Sequence, residues 1–288
     1  MAGSGKKWFI GCGIGCGLML LILGGVGTCG YFGVKKIQEQ VEGMEENKDA
    51  VQARFGDPDD FVPELDGSIP AVRMEVFLAI RDDMAPVRNK TSEILSVLDD
   101  DGGNWVAKAQ AGMKMIPAML GFINQRNTIL LANDMGVGEY QYIYALSYFV
   151  LLDKDPGDGP GFQLDGDDEQ ENGNVNVDWG NDSSEEGVRD NRSKRVRTYV
   201  NNVQVTVLAN QLEAYRASLP AGTDLATDPW GAQLEAELAA MKLESLRFPW
   251  EEGLPAQIRA SLEPYSDRIN ATYDPLTSII EMGLTDED

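Results

Sequence analysis

Residues 138–152 read GEYQYIYALSYFVLL, the densest aromatic stretch in the chain. Tyr140, Tyr144 and Tyr148 recur every fourth residue, a spacing that stacks side chains along one face of a helix, with Tyr142 and Phe149 beside them. Such a stripe packs into a core with its hydroxyls reaching the surface, or it lines a pocket or partner groove, because each ring pairs a flat apolar face with a polar tip. Core packing is the expectation.

Helical spacing continues on both sides of this stretch. Ser68 and Pro70 read as a cap followed by a first-turn proline, and Val72, Val76, Ile80, Val87, Ile94 and Leu98 then form one long helix with a kink expected at Pro86. Asn104 opens a second long helix, with Trp105, Ala109, Gly112, Ile116, Leu120 and Ile123 on one face, a kink at Pro117 and an end at Gly136. Ser193 is expected to start another, carrying Val196, Val200, Val203, Val207, Leu208, Leu212 and Tyr215. Further helices begin at Asp228-Pro229, Leu254-Pro255 and Asp274-Pro275, and Phe248-Pro249-Trp250 bends the chain between the first two. No stretch alternates apolar and polar residues long enough to demand a strand, so the fold class is all-α, an irregular helical bundle.

The N-terminus differs in kind. Residues 1–7 form a short stub ending in Lys6-Lys7, and residues 8–34 are 27 consecutive residues without a charge, closed by Lys35-Lys36. A helix needs only about 20 residues to cross a bilayer, and Trp8, Phe9, Tyr31 and Phe32 stand where aromatic rings favour the interface. The expectation is a transmembrane helix over 8–34, partnered by the lipid bilayer. The run is too long for a cleaved signal peptide. A short basic start followed at once by the apolar run is a signal-anchor layout, which places the large domain outside the cytoplasm, periplasmic or extracellular. Gly11 with Gly15, and Gly13 with Gly17, are small-xxx-small pairs that let two such helices approach as a homodimer.

Residues 35–55 continue as a juxtamembrane amphipathic helix. Val34, Ile37, Val41, Met44, Lys48, Val51 and Phe55 fall at alternating steps of three and four, with Lys48 the one polar seam residue. That seam suits either a dimeric stalk or, the favoured reading, packing on the chain's own domain. The domain divides into a first helical part over 61–152, an acidic loop over 153–194 expected to be disordered, and a second helical part over 195–288. Arg192, Lys194, Arg195 and Arg197 are basic residues placed to pair with that loop. Asp153, Asp155 and Asp158 lack the spacing of a calcium loop.

Composition narrows the chemistry. Histidine is absent, and Cys12, Cys16 and Cys29 all lie in the apolar run. The rest of the chain therefore has no imidazole or thiol for nucleophilic triads, zinc ligation or disulfides. Beyond Lys36 there are 20 basic against 47 acidic residues, a surface that repels phosphate backbones and argues against nucleic-acid partners. No residue is assigned as catalytic, cofactor-binding or metal-ligating, and no cofactor is expected. The expected function is non-enzymatic: an exported helical domain that binds a protein partner or a ligand. The alternatives are a carboxylate-dependent hydrolase or lyase, for which Asp134 and Glu139 beside the Gly136 break are the acids to test, and an acidic cation-binding protein.

Overall fold

The computed structural model describes residues 31–99, 104–159, 163–165, 176–178 and 185–282. Most of the expected membrane run lies outside these residues. Among the described residues no helix is long and apolar enough to cross a membrane.

The described chain is helical apart from one short ladder. Helix α1 spans Tyr31–Phe55, α2 Ala71–Asp83, α3 Ala85–Asp99, α4 Trp105–Ala132 and α5 Val137–Tyr144, the last continuing as a π-helical turn over Ala145–Leu151. After the antiparallel strands β1 Gln163–Asp165 and β2 Asn176–Asp178 come α6 Glu185–Ser218, α7 Pro229–Leu243, α8 Ala256–Leu262, α9 Ser266–Ala271 and α10 Ser278–Glu281. One continuous apolar core joins residues from α2 to α10.

Each boundary has a local cause. The long helix expected around Pro86 is two helices that meet at Met84, because proline cannot donate to the carbonyl four residues back. Pro117, by contrast, sits inside α4, which continues through it. Asn104 caps α4 by accepting from the Val106 amide at 3.0 Å, and Asp228 caps α7 by accepting from Gly231 at 2.7 Å. Between α4 and α5 the chain turns through Asp134, whose φ of 53° is the left-handed conformation that Asp tolerates better than most residues. Asn201 of α6 donates from Nδ2 into the carbonyls of Met241, Glu244 and Arg247, satisfying the C-terminal end of α7.

Two expectations need correction. The helix placed at Ser193 starts at Glu185, eight residues earlier, where two glutamates favour the positive end of the helix dipole. Part of the 153–194 loop is therefore helix. Its first residues are also held, because Asp155 accepts from Arg189 Nε at 2.8 Å and the Gly157 carbonyl accepts from Arg192 Nη1 at 2.8 Å. Residues 160–162, 166–175 and 179–184 of the expected loop lie outside the described residues. The second correction concerns α1. Lys48 is exposed rather than in the seam, while Val51 is buried and Met44 and Phe55 are half-buried.

The partner of that seam is α4, in the same chain. Asn47 Nδ2 donates to Asn124 Oδ1 at 2.6 Å and to Thr128 Oγ1 at 3.1 Å. One to two turns further on, Arg54 reaches the Leu131 carbonyl at 3.4 Å and Asp134 at 2.6 Å. The sequence offset across these four contacts stays between 77 and 81, so α1 and α4 run parallel and in step.

Candidate functional site

The tyrosine stripe is core. Tyr140, Tyr144 and Tyr148 are fully buried, and the Tyr144 and Tyr148 rings lie 4.5 Å apart between centroids. Phe77 of α2 tilts against Tyr140 and Tyr148, and Tyr273 against Tyr148. The π-helical turn contributes: the extra residue per turn widens the coil where Tyr148 sits, and the Leu152 amide donates back to the Ser147 carbonyl five residues away.

A charged cluster is built on this aromatic face. Arg81 of α2 is completely buried, and its guanidinium lies 5.3 and 5.2 Å from the Tyr144 and Tyr148 ring centroids. Its Nη1 donates to Tyr140 Oη at 2.9 Å and to Glu281 Oε2, and its Nη2 to the Thr272 carbonyl. Glu281, also completely buried, stands 3.6 Å from Arg88 Nη1 and accepts from Thr277 Oγ1 at 3.3 Å. Arg126 of α4 donates to the Glu281 carbonyl at 3.0 Å, and Arg88 to the Arg81 carbonyl at 3.1 Å.

Three arginines thus converge on one glutamate. Burial pushes the Arg126 guanidinium below its ordinary pKa, and burial together with the neighbouring Arg81 charge does the same to Arg88. Arginine starts so high that all three remain charged at neutral pH. Among the described residues Arg81 Nε and Arg88 Nη1 make no hydrogen bond, and three guanidinium charges face the one carboxylate of Glu281; Asp274 adds a more distant negative charge near Arg88.

The surroundings of Glu281 are hydroxyls and amides that secure the same segment. Tyr144 Oη donates to Ser278 Oγ at 3.1 Å, Tyr148 Oη pairs with Thr272 Oγ1 at 2.7 Å, and Gln141 Nε2 donates to the Met282 carbonyl at 2.5 Å. Burial raises the Tyr144 and Tyr148 phenols above their ordinary pKa. With no exposed surface on Arg81 or Glu281, the arrangement is a latch that fastens α10 to α2, α3 and α4. Only the tyrosines of this cluster were readable from spacing.

The carboxylates of the two acids beside Gly136 pair with different arginines, although Arg73 also donates from Nη2 to the Asp134 carbonyl at 2.9 Å. Asp134 pairs with Arg54 at 2.6 Å on an exposed corner, and Glu139 accepts from Arg73 Nε at 2.6 Å and Nη2 at 2.5 Å. Each carboxylate has its own arginine. Of the basic residues in the first turns of α6, Arg197 pairs with Glu251 at 2.6 Å and lies 4.4 Å from the Phe248 ring centroid, while the loop is held by Arg189 and Arg192. Among the described residues no group of three or more Asp, Glu, His or Cys side chains is placed to hold a metal ion.

An open groove of roughly 420 Å³ lies beside the bend at residues 247–253. Arg247 and Glu237 form a buried two-pronged pair at 3.2 and 3.1 Å, and Glu252 accepts from Arg247 Nη1 at 3.0 Å at the rim. Trp250 has a φ of 60°, unusual for a bulky side chain, and is held there by donation from its amide to Glu237 Oε1 at 2.7 Å and by stacking on Trp230. The bend at Phe248-Pro249-Trp250 was legible; the left-handed tryptophan was not.

No family model, curated protein or solved structure matches this chain.

Proposed function

We propose that the chain is a single-pass membrane protein that uses residues 8–34 to hold a non-catalytic helical binding domain outside the cytoplasm. The observation that carries this reading is α1, which takes the last residues of the uncharged run, Tyr31 to Val34, and continues without a break to Phe55 along the flank of α4. An anchor joined in this way positions the domain instead of trailing it on a flexible linker. The absence of histidine and cysteine beyond Cys29 supports a binding role over a catalytic one, and the open groove beside Trp250 is one concave surface among the described residues. With 20 basic against 47 acidic residues beyond Lys36, the partner is a neutral or cationic surface, and nucleic acid is disfavoured. Gly11 with Gly15, and Gly13 with Gly17, are where two copies would meet within the bilayer.

Topology tests the reading directly. Protease added to intact spheroplasts should digest the domain, and a reporter fused after Asp288 should be active outside the cytoplasm. A domain that resists protease until the membrane is opened would place it on the other side.

A further inference from the structure

We infer that the arginine cluster packed against α10 binds a small monovalent anion of the halide class, chloride in ordinary media, between Arg81 and Arg88 with Arg126 beside them.

The charges in this part of the core do not balance among the described residues. Arg81, Arg88 and Arg126 are only 0%, 5% and 6% exposed, so water screens none of them well. Glu281 pairs with Arg81 and stands 3.6 Å from Arg88. Ser92, one turn beyond Arg88 on α3, donates to Asp274 and so brings a second carboxylate alongside. Arg126 meets neutral groups: its Nε and Nη2 donate to Asn127 Oδ1 at 3.3 and 3.2 Å, and its Nη1 to the Glu281 carbonyl at 3.0 Å. Three guanidinium charges against two carboxylates leave one positive charge over. A buried charge without a counter-charge is strongly destabilising, and arginine holds its proton too tightly to neutralise itself. One bound anion restores the balance.

The free donors point to the same place. Arg81 Nε and Arg88 Nη1 are both buried and make no hydrogen bond among the described residues. A buried donor in that state is one that an ion or a water can satisfy. The two side chains are neighbours, since Arg88 Nη2 donates to the Arg81 carbonyl at 3.1 Å and both guanidinium groups turn toward Glu281. A water would use the donors and leave the charge unanswered. Phosphate or sulfate would bring more charge than is needed and several oxygens, each calling for its own donor. Two open N–H groups and one surplus charge suit a single-atom monovalent ion.

The test melts the full chain, in a detergent with a neutral headgroup, at one ionic strength made up with sodium gluconate, fluoride, chloride or bromide. Tm should rise by about 3–5 °C for each tenfold step in chloride above its dissociation constant. Bromide should act like chloride, while gluconate is too large and fluoride too strongly hydrated to substitute. Arg88→Met and Arg126→Met each remove the surplus charge, so both should melt alike in all four salts. The parent series decides by itself whether a halide binds, and the variants locate it. A parent that melts equally in all four salts would overturn the inference. A chloride response that persists in both variants would place the ion elsewhere and overturn it too. A parent indifferent to chloride that becomes responsive when the chain is ended after Met282 would give the counter-charge to the acidic residues Asp286, Glu287 and Asp288, again against the inference.

Discussion

Glu281 answers Arg81 and Arg88 inside the core, so removing its charge leaves guanidinium groups buried without compensation. Glu281→Leu should cost about 3–5 kcal/mol in urea unfolding at neutral pH. A variant with the parent's midpoint would show that the latch is not closed in solution. Tyr144 separates ring from hydroxyl: Tyr144→Ala should cost about 3–5 kcal/mol through the cavity, and Tyr144→Phe only about 0.5–1.5 through the lost bond to Ser278. Alkaline pH probes the same cluster. Burial raises Tyr142, Tyr144 and Tyr148 above their ordinary pKa of about 10, so the unfolded state releases their protons first. Their contribution to stability is intact below about pH 10 and is lost above it, by roughly 4 kcal/mol per pH unit for three phenols. Ultraviolet titration should show these phenols ionising only as the domain unfolds; nine tyrosines titrating together while circular dichroism stays native would contradict their burial. The four-residue spacing of the tyrosines made their burial legible. The charged half of the cluster was not, because Arg81 and Glu281 are 200 positions apart and no local pattern marks which of many acids an arginine will meet.

At the level of elements, the short turn at Pro58–Asp60 docks on α5 through Gly138, where an added Cβ would stand 2.1 Å from the Pro58 carbonyl and 2.9 Å from Phe61 Cβ. Gly138→Ala should therefore cost about 1–3 kcal/mol by overpacking, measured as a fall in urea midpoint. Asn47→Ala tests the α1–α4 seam. Losing its bonds to Asn124 and Thr128 should cost about 1–2 kcal/mol and open α1 to proteolysis near residues 45–54. Equal cleavage rates in parent and variant would mean that α1 is not held along α4. Apolar spacing and caps such as Asn104 and Asp228 located most helices in the sequence. Composition misled at Glu185, where Asp, Asn and Glu read as loop although acids suit the first turn of a helix. The π-helical turn after Tyr144 left no signal, since the same apolar pattern fits an ordinary helix over those few residues.

For the whole molecule, one continuous apolar core joins α2 to α10, and α1 lies parallel to α4 along its flank. Everything proposed about partners and place depends on residues 8–34 crossing the bilayer. Alkaline carbonate extraction of membranes carrying the full chain, beside a variant with Leu18, Leu21 and Leu23 each changed to Arg, addresses that point. Each arginine near the centre of the run opposes insertion by about 2.5–3.5 kcal/mol. The parent should remain in the membrane pellet and the triple variant should move to the supernatant; a parent chain released by carbonate would contradict the membrane anchor on which the account stands.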